Sequence, residues 1–332
     1  MSNKEITTEQ KPLVSIVMAT YNPNLKWFED QLISLNNQTY SNLELIILDD
    51  FSTTIQLSEL RAFIIKQITS MPCTIMRNHE NIGSTRTFEK LTSLARGEYI
   101  AYCDQDDIWH SDKIESQVDI IEIEFCGIVY SEMKIIDEHG IHVADSLAKI
   151  RKNHRSYSGT GLEKTLMASN FVTGCAMMIR KKIALKAMPF CPYMFHDHWM
   201  ALFTAQCGES IYYIKRPMMD YRIHHTNQSM VMAGVTDKAS YLSMCIKHRL
   251  KQLQWLSERF RDNEELSLYI SKMVLWLEAR KSYFISAEIR SAILIWRYRS
   301  FGLNTSLFEL ICPYIPPKVF LWLINLKKKN II

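Results

Sequence analysis

Apolar runs alternate with segments of helical periodicity through the first two thirds of the 332-residue chain, and this alternation limits the possible folds more than any other feature. LVSIVM (13–18) is apolar except for Ser15, and LELIILDD (43–50) is apolar except for Glu44 until it ends in two acids; such runs are typical of strands buried on both faces. Between them, Phe28, Leu32 and Leu35 recur at helical spacing. This order predicts an α/β sheet of mostly parallel strands with right-handed crossovers.

The same patterns continue along the chain and indicate its organisation. Further strands are predicted at 73–78, 99–103, 127–131, 174–180 and 211–214, and helices at 57–69, 88–95, 114–121, 162–169 and 197–205. A polar loop is predicted at 140–160, and only helical patterns follow residue 238. We therefore expect a flexible N-terminus (1–11), an α/β domain (12–235) and a helical C-terminal region (236–332).

The charge is distributed unevenly although the composition is that of an ordinary globular protein. Hydrophobic residues make up 47% of the chain and charged residues 22%, which excludes a disordered chain. Residues 238–332 contain 16 Lys/Arg and 7 Asp/Glu, while the net charge of the whole chain is +4. Nucleic acid or an anionic membrane surface would each suit such a tail. Because its helices are also rich in aromatic residues, we favour a membrane surface, with oligomerisation or packing as the alternative.

Neither a disulfide framework nor a transmembrane helix is predicted. The eight cysteines are scattered without a C-x-x-C pair, which is typical of reduced thiols in the cytosol. The N-terminus is polar and resembles no signal peptide. Phe308–Leu326 is the nearest candidate span, and Pro313, Pro316 and Pro317 interrupt it. We expect a cytoplasmic protein that is peripheral at the inner face of the cell membrane.

Two groups of acids follow predicted strands. DQDD (104–107) follows the apolar run YIAYC, and Asp49–Asp50 end another predicted strand. Ligands of open α/β sheets bind beyond the carboxyl ends of the strands, so both groups lie where a ligand is expected. Three carboxylates within four residues repel one another unless a cation is present, and Mg²⁺ or Mn²⁺ prefers such oxygen ligands. The alternatives are a solvated acidic turn at 104–107 and a helix N-cap at Asp49–Asp50.

An ordered series of motifs resembles the family 2 glycosyltransferases. The motifs are PLVSIVMATYNPN, QTYSNLELIILDDFS, NIGSTRTFEK and ARGEYIAYCDQDDIW, and the resemblance extends over about residues 12–230. It implies a Rossmann-like GT-A fold. DQDDIW and the later HD-x-W and YR-x-H patterns are most similar to bacterial rhamnosyltransferases of polysaccharide assembly.

The resemblance implies roles for residues at the donor site. Ala19, Thr20 and Tyr21 match the strand end that holds the base, although the family often has a hydroxyl residue at the position of Ala19. Asp50 matches the acid that accepts the pyrimidine N3–H, and Arg86 the arginine near the base or diphosphate. Asp104 and Asp106 match the D-x-D motif. In that motif Asp106 coordinates the metal, Asp104 binds the ribose or the metal, and Asp107 orients the loop.

The later motifs imply roles at the reaction centre. Asp197 matches the catalytic base, which takes the proton of the acceptor hydroxyl in a single inverting displacement. His224 matches a further metal ligand, with His225 as its neighbouring alternative. Other side chains are predicted to contact the acceptor or to orient the site: His196, His198, Trp199 and Arg222. Trp199 would stack on a sugar or pack in the core, and Arg222 would neutralise phosphate.

We therefore expect an inverting, metal-dependent glycosyltransferase, with dTDP-L-rhamnose as the favoured donor. The expected partners are a dTDP- or UDP-sugar donor, a lipid-linked glycan or polysaccharide acceptor, and Mn²⁺ or Mg²⁺. Nucleic acid is not expected as a partner, and a homo-oligomer is possible. A sugar nucleotidyltransferase is the first alternative, but the glycine-rich loop that it needs is replaced by ATYNPN. A dehydrogenase is disfavoured because no G-x-G-x-x-G occurs. The third alternative is a non-catalytic glycan-binding or scaffold protein.

Overall fold

The computed structural model describes residues 11–151, 154–225, 232 and 234–328. Apart from Lys11, the predicted flexible N-terminus lies outside these residues. The chain divides into two compact units, one comprising residues up to Phe190 together with Phe195–His224, and the other Cys191–Met194 together with His225–Ile332. The division therefore falls eleven residues before the predicted boundary at 235 and assigns a four-residue segment to the second unit.

The first unit is built on one nine-stranded sheet. Its strands are β1 (Val14–Thr20), β2 (Leu43–Asp49), β3 (Cys73–Arg77), β4 (Tyr99–Cys103), β5 (Ile108–Trp109), β6 (Ile128–Ile136), β7 (His142–Ala144), β8 (Met177–Arg180) and β9 (Ile211–Arg222). The spatial order is β3-β2-β1-β4-β8-β6-β9-β5, and β7 pairs with β6. The helices are α1 (Leu25–Asn36), α2 (Leu57–Gln67), α3 (Ser84–Leu94), α4 (Lys113–Ile123), α5 (Leu147–Ile150), α6 (Glu163–Ala168), α7 (Lys181–Lys186) and α8 (His196–Gln206).

The expectation of mostly parallel strands is correct only for the first half of the sheet. β3, β2, β1 and β4 are parallel, as the helical crossovers require. β8 is antiparallel to both β4 and β6, so the sheet is mixed. An antiparallel strand needs no crossover helix before it. The chain enters β8 from a one-turn 3₁₀ helix at Gly174–Ala176. The predicted strand at 174–180 is accordingly shorter than expected.

Two other sequence interpretations need correction. The predicted loop at 140–160 contains the short strand β7 and the short helix α5. The predicted strand at 211–214 continues as β9 to Arg222, pairing in parallel with β6 through two irregularities in register. Tyr221 and Arg222 are therefore the last residues of strand β9. The sequence pattern had predicted that they follow a strand.

The helices cover both faces of the sheet, because alternate residues of the central strands point to opposite sides. On one face Tyr99, Ala101 and Cys103 of β4 join the main apolar cluster. On the other face, the Tyr102 hydroxyl lies 2.7 Å from that of Thr92 on α3, and its ring packs edge-on against Phe88. This packing holds the carboxyl ends of β1, β2 and β4 at one edge.

The second unit is helical throughout its described residues. It contains α9 (Lys238–Tyr241), a π-helical turn (Leu242–Lys247), α10 (His248–Arg259), α11 (Glu264–Ser286), α12 (Ile289–Arg297), α13 (Leu303–Ile311) and α14 (Pro317–Lys328). Short 3₁₀ turns at Arg299–Phe301 and Cys312–Tyr314 follow α12 and α13. Among the described helices of the whole chain, none has the length and hydropathy that a bilayer span requires.

Candidate active site

The predicted site residues of the first unit converge at the carboxyl edge of the sheet. Thr20 at the end of β1 is in register with Asp49 at the end of β2, and Asp104 follows β4 directly. Asp49 is fully buried and accepts hydrogen bonds from Ser52, while Arg77 Nε lies 2.5 Å from its carboxylate. Thr20 is also buried, and its hydroxyl donates to Asp49 over 3.4 Å. Asp49 and Thr20 therefore hold the strand ends together.

Side-chain amides fix the loops that border the expected donor site. Gln105 accepts a hydrogen bond from the backbone N–H of Tyr21 (2.9 Å) and donates to the Tyr21 carbonyl (3.2 Å). The N–H of Asn22 donates to Ser52 Oγ over 2.7 Å. Phe51 has a positive φ of 64°, an uncommon conformation for a bulky residue, and its side chain is exposed like that of Tyr21. The two rings thus lie at the solvent side of adjacent strand ends.

Asp50 caps the approach to α3. Its Oδ1 accepts from Asn78 Nδ2 (2.8 Å) and the Ile82 N–H (3.0 Å), and its Oδ2 accepts from the Gly83 N–H (2.9 Å). The N-cap alternative raised by the sequence is wrong, because Gln56 is the N-cap of the following helix α2, whereas Asp50 binds the loop that leads into α3. Since a carboxylate oxygen can accept two hydrogen bonds, Oδ2 retains capacity for a ligand N–H. Arg86, in the first turn of the same helix, is exposed to solvent.

Arg222 supports the acidic loop from inside the protein. Its backbone N–H donates to Asp107 Oδ1 over 3.0 Å, its Nε donates to the Asp106 carbonyl over 2.9 Å, and Nη2 lies 3.0 Å from Asp30. The arginine is 1% exposed. The predicted phosphate contact is therefore wrong for this conformation, because its guanidinium is buried among protein acceptors, whereas the predicted orienting role agrees with these contacts.

Asp106 and His224, predicted as metal ligands, lie side by side. His224 Nε2 is 2.8 Å from Asp106 Oδ2, and the His224 side chain is only 6% exposed. The imidazole ring packs on the indole of Trp27, with 4.6 Å between centroids. Trp27 is itself anchored, since its indole N–H donates to the Glu138 carbonyl over 2.9 Å. The pair is thereby held in one orientation, while exposed His225 belongs to the second unit.

Mutual repulsion and burial disfavour ionisation of the acidic loop. Burial, with the charges of Asp106 and Asp197, raises the pKa of Asp104 to about 7. Burial and the same loop's carboxylates raise the pKa of Asp107 well above its usual range. The Oδ2 atom of Asp107 is buried without a well-formed hydrogen bond among the described residues. An added cation would relieve both effects.

The donor atoms in this loop fit a hard divalent ion. Ligand atoms of Asp104, Asp107 and Cys175 all lie within 4.8 Å of one another. Burial raises the pKa of the Cys175 thiol well above its usual value, so the sulfur is protonated and a poor ligand. The carboxylates of Asp104, Asp106 and Asp107 are the oxygen ligands that Mg²⁺ and Mn²⁺ prefer.

Asp197 lies in the first turn of helix α8, and its carboxylate is only partly solvated. Its Oδ2 accepts from the Gly174 N–H over 3.0 Å, and Oδ1 accepts from the His198 N–H over 2.5 Å. Burial nevertheless raises the pKa of Asp197 to about 6. A carboxylate with that pKa is a suitable general base near neutral pH. His198 is fixed in turn, because its Nε2 lies 2.6 Å from the Leu166 carbonyl.

Close backbone approach at Gly174 positions the start of α8. A Cβ atom at Gly174 would lie 2.7 Å from His196 Nε2 and in ordinary contact, 3.4 Å, with the Asp197 Cβ, so a side chain there would displace the His196 ring beside the base. Burial lowers the pKa of His196 to about 3, and its ring packs on Phe88 with 4.0 Å between centroids. His196 is therefore a neutral packing residue beside the base, which supports orientation over acceptor contact.

The environment of Trp199 distinguishes between its two predicted roles. The side chain is fully buried, and its indole N–H donates to the Ala187 carbonyl over 2.9 Å. The packing interpretation fits, and stacking on a sugar does not. Ala19 is half-buried and offers a ligand only its backbone and methyl group.

Sequence reasoning missed four residues at this edge: Gln105, Cys175, Lys113 and Trp27. Lys113 is buried, its ammonium lies 3.6 Å from the Trp109 ring centroid, and burial lowers its pKa to about 8. Gln105 had a signal, since it lies inside the DQDD motif. The other three carry no local pattern, because only the tertiary fold brings them to the acidic loop.

The model of the family described as "Glycosyl transferase family 2" matches residues 15–186, which is more than half of the chain. The chain belongs to this family. Among its relatives, the dTDP-rhamnosyl transferase RfbG of Shigella flexneri is 27% identical over 237 residues, which cover 68% of this chain and 76% of that protein. The family match over residues 15–186 includes most of β1, all of β2 to β4 and the acidic loop.

Solved structures show the same fold at low sequence identity. TarS of S. aureus, residues 1–349 in complex with UDP-GlcNAc, superimposes with a TM-score of 0.57 at 13% identity and 90% coverage of both chains. The mannosyltransferase PcManGT of Pyrobaculum calidifontis, in complex with GDP-Man and Mn²⁺, gives 0.53 at 15% identity, covering 92% of this chain and 85% of that one. The predicted GT-A fold with a helical C-terminal region is confirmed.

Proposed function

We propose that this family 2 glycosyltransferase is an inverting, metal-dependent enzyme that transfers a sugar from a dTDP- or UDP-sugar to a lipid-linked or polysaccharide acceptor. The observation that carries this proposal is the convergence of Asp104, Asp106 and Asp197 in one poorly solvated site, where burial and the charges of Asp106 and Asp197 raise the pKa of Asp104. A protein that only binds glycans has no need of that arrangement. The Mn²⁺ in the complex of PcManGT supports a divalent ion.

In this mechanism, one set of residues binds the donor and another activates the acceptor. Asp104, Asp106 and His224 hold the divalent ion, with Asp107 as a further carboxylate beside it. When bound, the ion neutralises the diphosphate leaving group. Asp197 accepts the proton of the acceptor hydroxyl while that oxygen forms its bond to the anomeric carbon and the bond from that carbon to the diphosphate oxygen breaks. Arg222 holds the acidic loop in place throughout.

The donor base is assigned to the ends of β1 and β2. Asp50 Oδ2 accepts the N3–H of uracil or thymine, and the backbone of Ala19, Thr20 and Tyr21 lines the base. Arg86 is exposed at the same edge and suits the diphosphate. The likeness to RfbG favours dTDP-L-rhamnose as the donor. The lipid-linked acceptor places the enzyme at the cytoplasmic face of the membrane.

Calorimetric titration tests the donor site. dTDP, UDP and GDP are titrated into the protein with and without Mn²⁺ or Mg²⁺, and the titrations are repeated on Asp106→Asn. Asp145→Asn is the matched control, because Asp145 is an exposed carboxylate in the first unit that lies outside the site. We expect metal-dependent binding of dTDP or UDP that is lost only in Asp106→Asn. Absence of nucleotide binding under all conditions would refute the proposal and favour a glycan-binding protein.

Turnover separates transfer from nucleotidyl chemistry. With dTDP-rhamnose or UDP-glucose as donor, we expect release of the nucleoside diphosphate, and Asp197→Asn to abolish that release while retaining nucleotide binding. Release of pyrophosphate from a nucleoside triphosphate and a sugar phosphate would instead identify a nucleotidyltransferase.

A further inference from the structure

Helix α12 turns an apolar side toward solvent. Ile289, Ile293 and Trp296 recur at intervals of four and three residues, which places them on one side of the helix. The opposite side is the one that packs, because Ser291 and Ile295 are buried. Such an arrangement is unusual for a helix of a soluble domain, where the apolar side normally faces the core.

Helix α13 repeats this pattern. Leu303, Leu307 and Ile311 recur every four residues on its exposed side, while Ser306 and Glu309 are buried on the other. Together the six exposed residues of α12 and α13 form what we call the α12–α13 stripe; each is between 46% and 78% exposed. The two helices pack on each other and are joined by Tyr298–Gly302, so the stripe belongs to one hairpin.

The charges around the stripe are almost all positive. Arg290, Arg297 and Arg299 are exposed in or just after α12. The guanidinium of Arg299 lies 4.3 Å from the Trp296 ring centroid and donates to the Trp296 carbonyl over 2.8 Å. Residues 289–328 include a single acid, Glu309, which is 1% exposed and pairs with a buried arginine. Glu288, the exposed N-cap of α12, is therefore the one exposed acid at the described hairpin, which otherwise presents cations and apolar side chains.

This charge distribution distinguishes between the possible occupants of the stripe. A twofold contact with a second copy would bring the three arginines of each copy together, with only Glu288 as an exposed acid at the described hairpin to pair with them. An anionic bilayer satisfies both features, because acyl chains accept the apolar residues and lipid phosphates pair with the arginines. We propose that the α12–α13 stripe docks the enzyme on an anionic lipid surface, an inference that rests on the proposed transfer to a lipid-linked acceptor.

Vesicle sedimentation of the full chain tests this inference. Vesicles contain phosphatidylcholine alone or about one third phosphatidylglycerol. We expect binding only to the anionic vesicles. In the triple variant Arg290→Gln, Arg297→Gln, Arg299→Gln, we expect affinity to fall about 100-fold, since one arginine near an anionic surface accounts for about 5-fold. The double variant Ile289→Ser, Ile293→Ser removes the apolar contribution and should also lose binding.

Matched controls alter the same unit elsewhere. Lys251→Gln, Arg261→Gln, Lys272→Gln changes the net charge equally on exposed residues of α10, α11 and the turn between them, and should retain binding. Leu268→Ser, Leu275→Ser removes two comparably exposed apolar residues of α11 and should also retain it.

Two outcomes would overturn the proposal. One is equal binding by wild type and all variants. The other is a change in molecular mass by light scattering in the arginine variant without a change in vesicle binding, which would identify a self-association surface. Nucleotide titration of the same preparations separates this inference from the proposed function: wild type that binds vesicles but no nucleotide contradicts only the proposed function.

Discussion

The buried ion pair between Arg280 of α11 and Glu309 of α13 is expected to tolerate the loss of both charges but not of one. Arg280 Nε lies 2.5 Å from Glu309 Oε2, and Arg280 Nη2 lies 2.6 Å from Oε1, in the two-point geometry that favours strong pairing. Both side chains are at most 5% exposed. The Tyr241 hydroxyl donates to the same carboxylate over 2.7 Å, and the guanidinium stacks on Trp276 at 4.2 Å. Neither charge has access to water if its partner is removed.

Removing one partner should therefore cost much more than removing both. Glu309→Gln leaves the Arg280 guanidinium buried without a counter-ion, and Arg280→Met leaves the carboxylate with Tyr241 only; each should lower the free energy of unfolding by about 3–5 kcal/mol. The double variant Arg280→Met, Glu309→Met leaves no buried charge. Its cost should be about 1–2 kcal/mol, which corresponds to the lost hydrogen bond of Tyr241 and imperfect packing.

Urea unfolding followed by tryptophan fluorescence measures these differences, with Trp276 beside the pair as a local reporter. The matched control is the solvent-exposed pair Lys281–Glu278 on the same helix, 3.0 Å apart, for which Glu278→Gln should cost less than about 1 kcal/mol. If the double variant costs as much as the two single variants added together, the two side chains are not coupled and the reasoning is wrong.

Three further predictions concern the reaction centre. Because burial raises the pKa of Asp197 to about 6 and only the carboxylate can accept a proton, kcat/KM at saturating Mn²⁺, which keeps the Asp104 carboxylate ionised, should rise about tenfold per pH unit below pH 6 and level off above it; a profile flat down to pH 5 contradicts this assignment. Arg222→Met removes the support of the Asp106 carbonyl, so calorimetry should show Mn²⁺ affinity falling by about 10–100-fold. Gly174→Ala forces its Cβ against His196, so kcat should fall at unchanged nucleotide affinity; an unchanged kcat would show that the site tolerates the shift.

The part of the fold built by local pattern could be predicted from the sequence. β1, β2 and β4 are mostly apolar because both of their faces are covered by helices, and their polar ends meet at one edge. The positions of Asp50 and the acidic loop followed from that rule. Helix periodicity was equally informative in α1 and α4, where the buried residues recur on one side.

Properties that depend on distant partners could not be predicted in this way. The direction of β8 depends on pairing with β4 and β6, which its four residues do not encode. Arg222 follows a polar pattern that looks exposed, but its acceptors come from residues more than eighty positions away. Trp199 and His196 stand in a motif of polar character, and only the packing of α8 shows that both are buried.

The acids at the sheet edge fall into two groups according to what compensates their charge. Asp49 is compensated by Arg77, and Asp50 by one amide and two backbone N–H groups. Asp104 has no comparable compensation, and Asp106 and Asp197 raise its pKa further. Such uncompensated repulsion lowers the stability of the folded protein. It is typical of sites whose charged groups act on a ligand. The first group therefore accounts for the structure of the edge, and the second group is where we place the metal and the proton transfer.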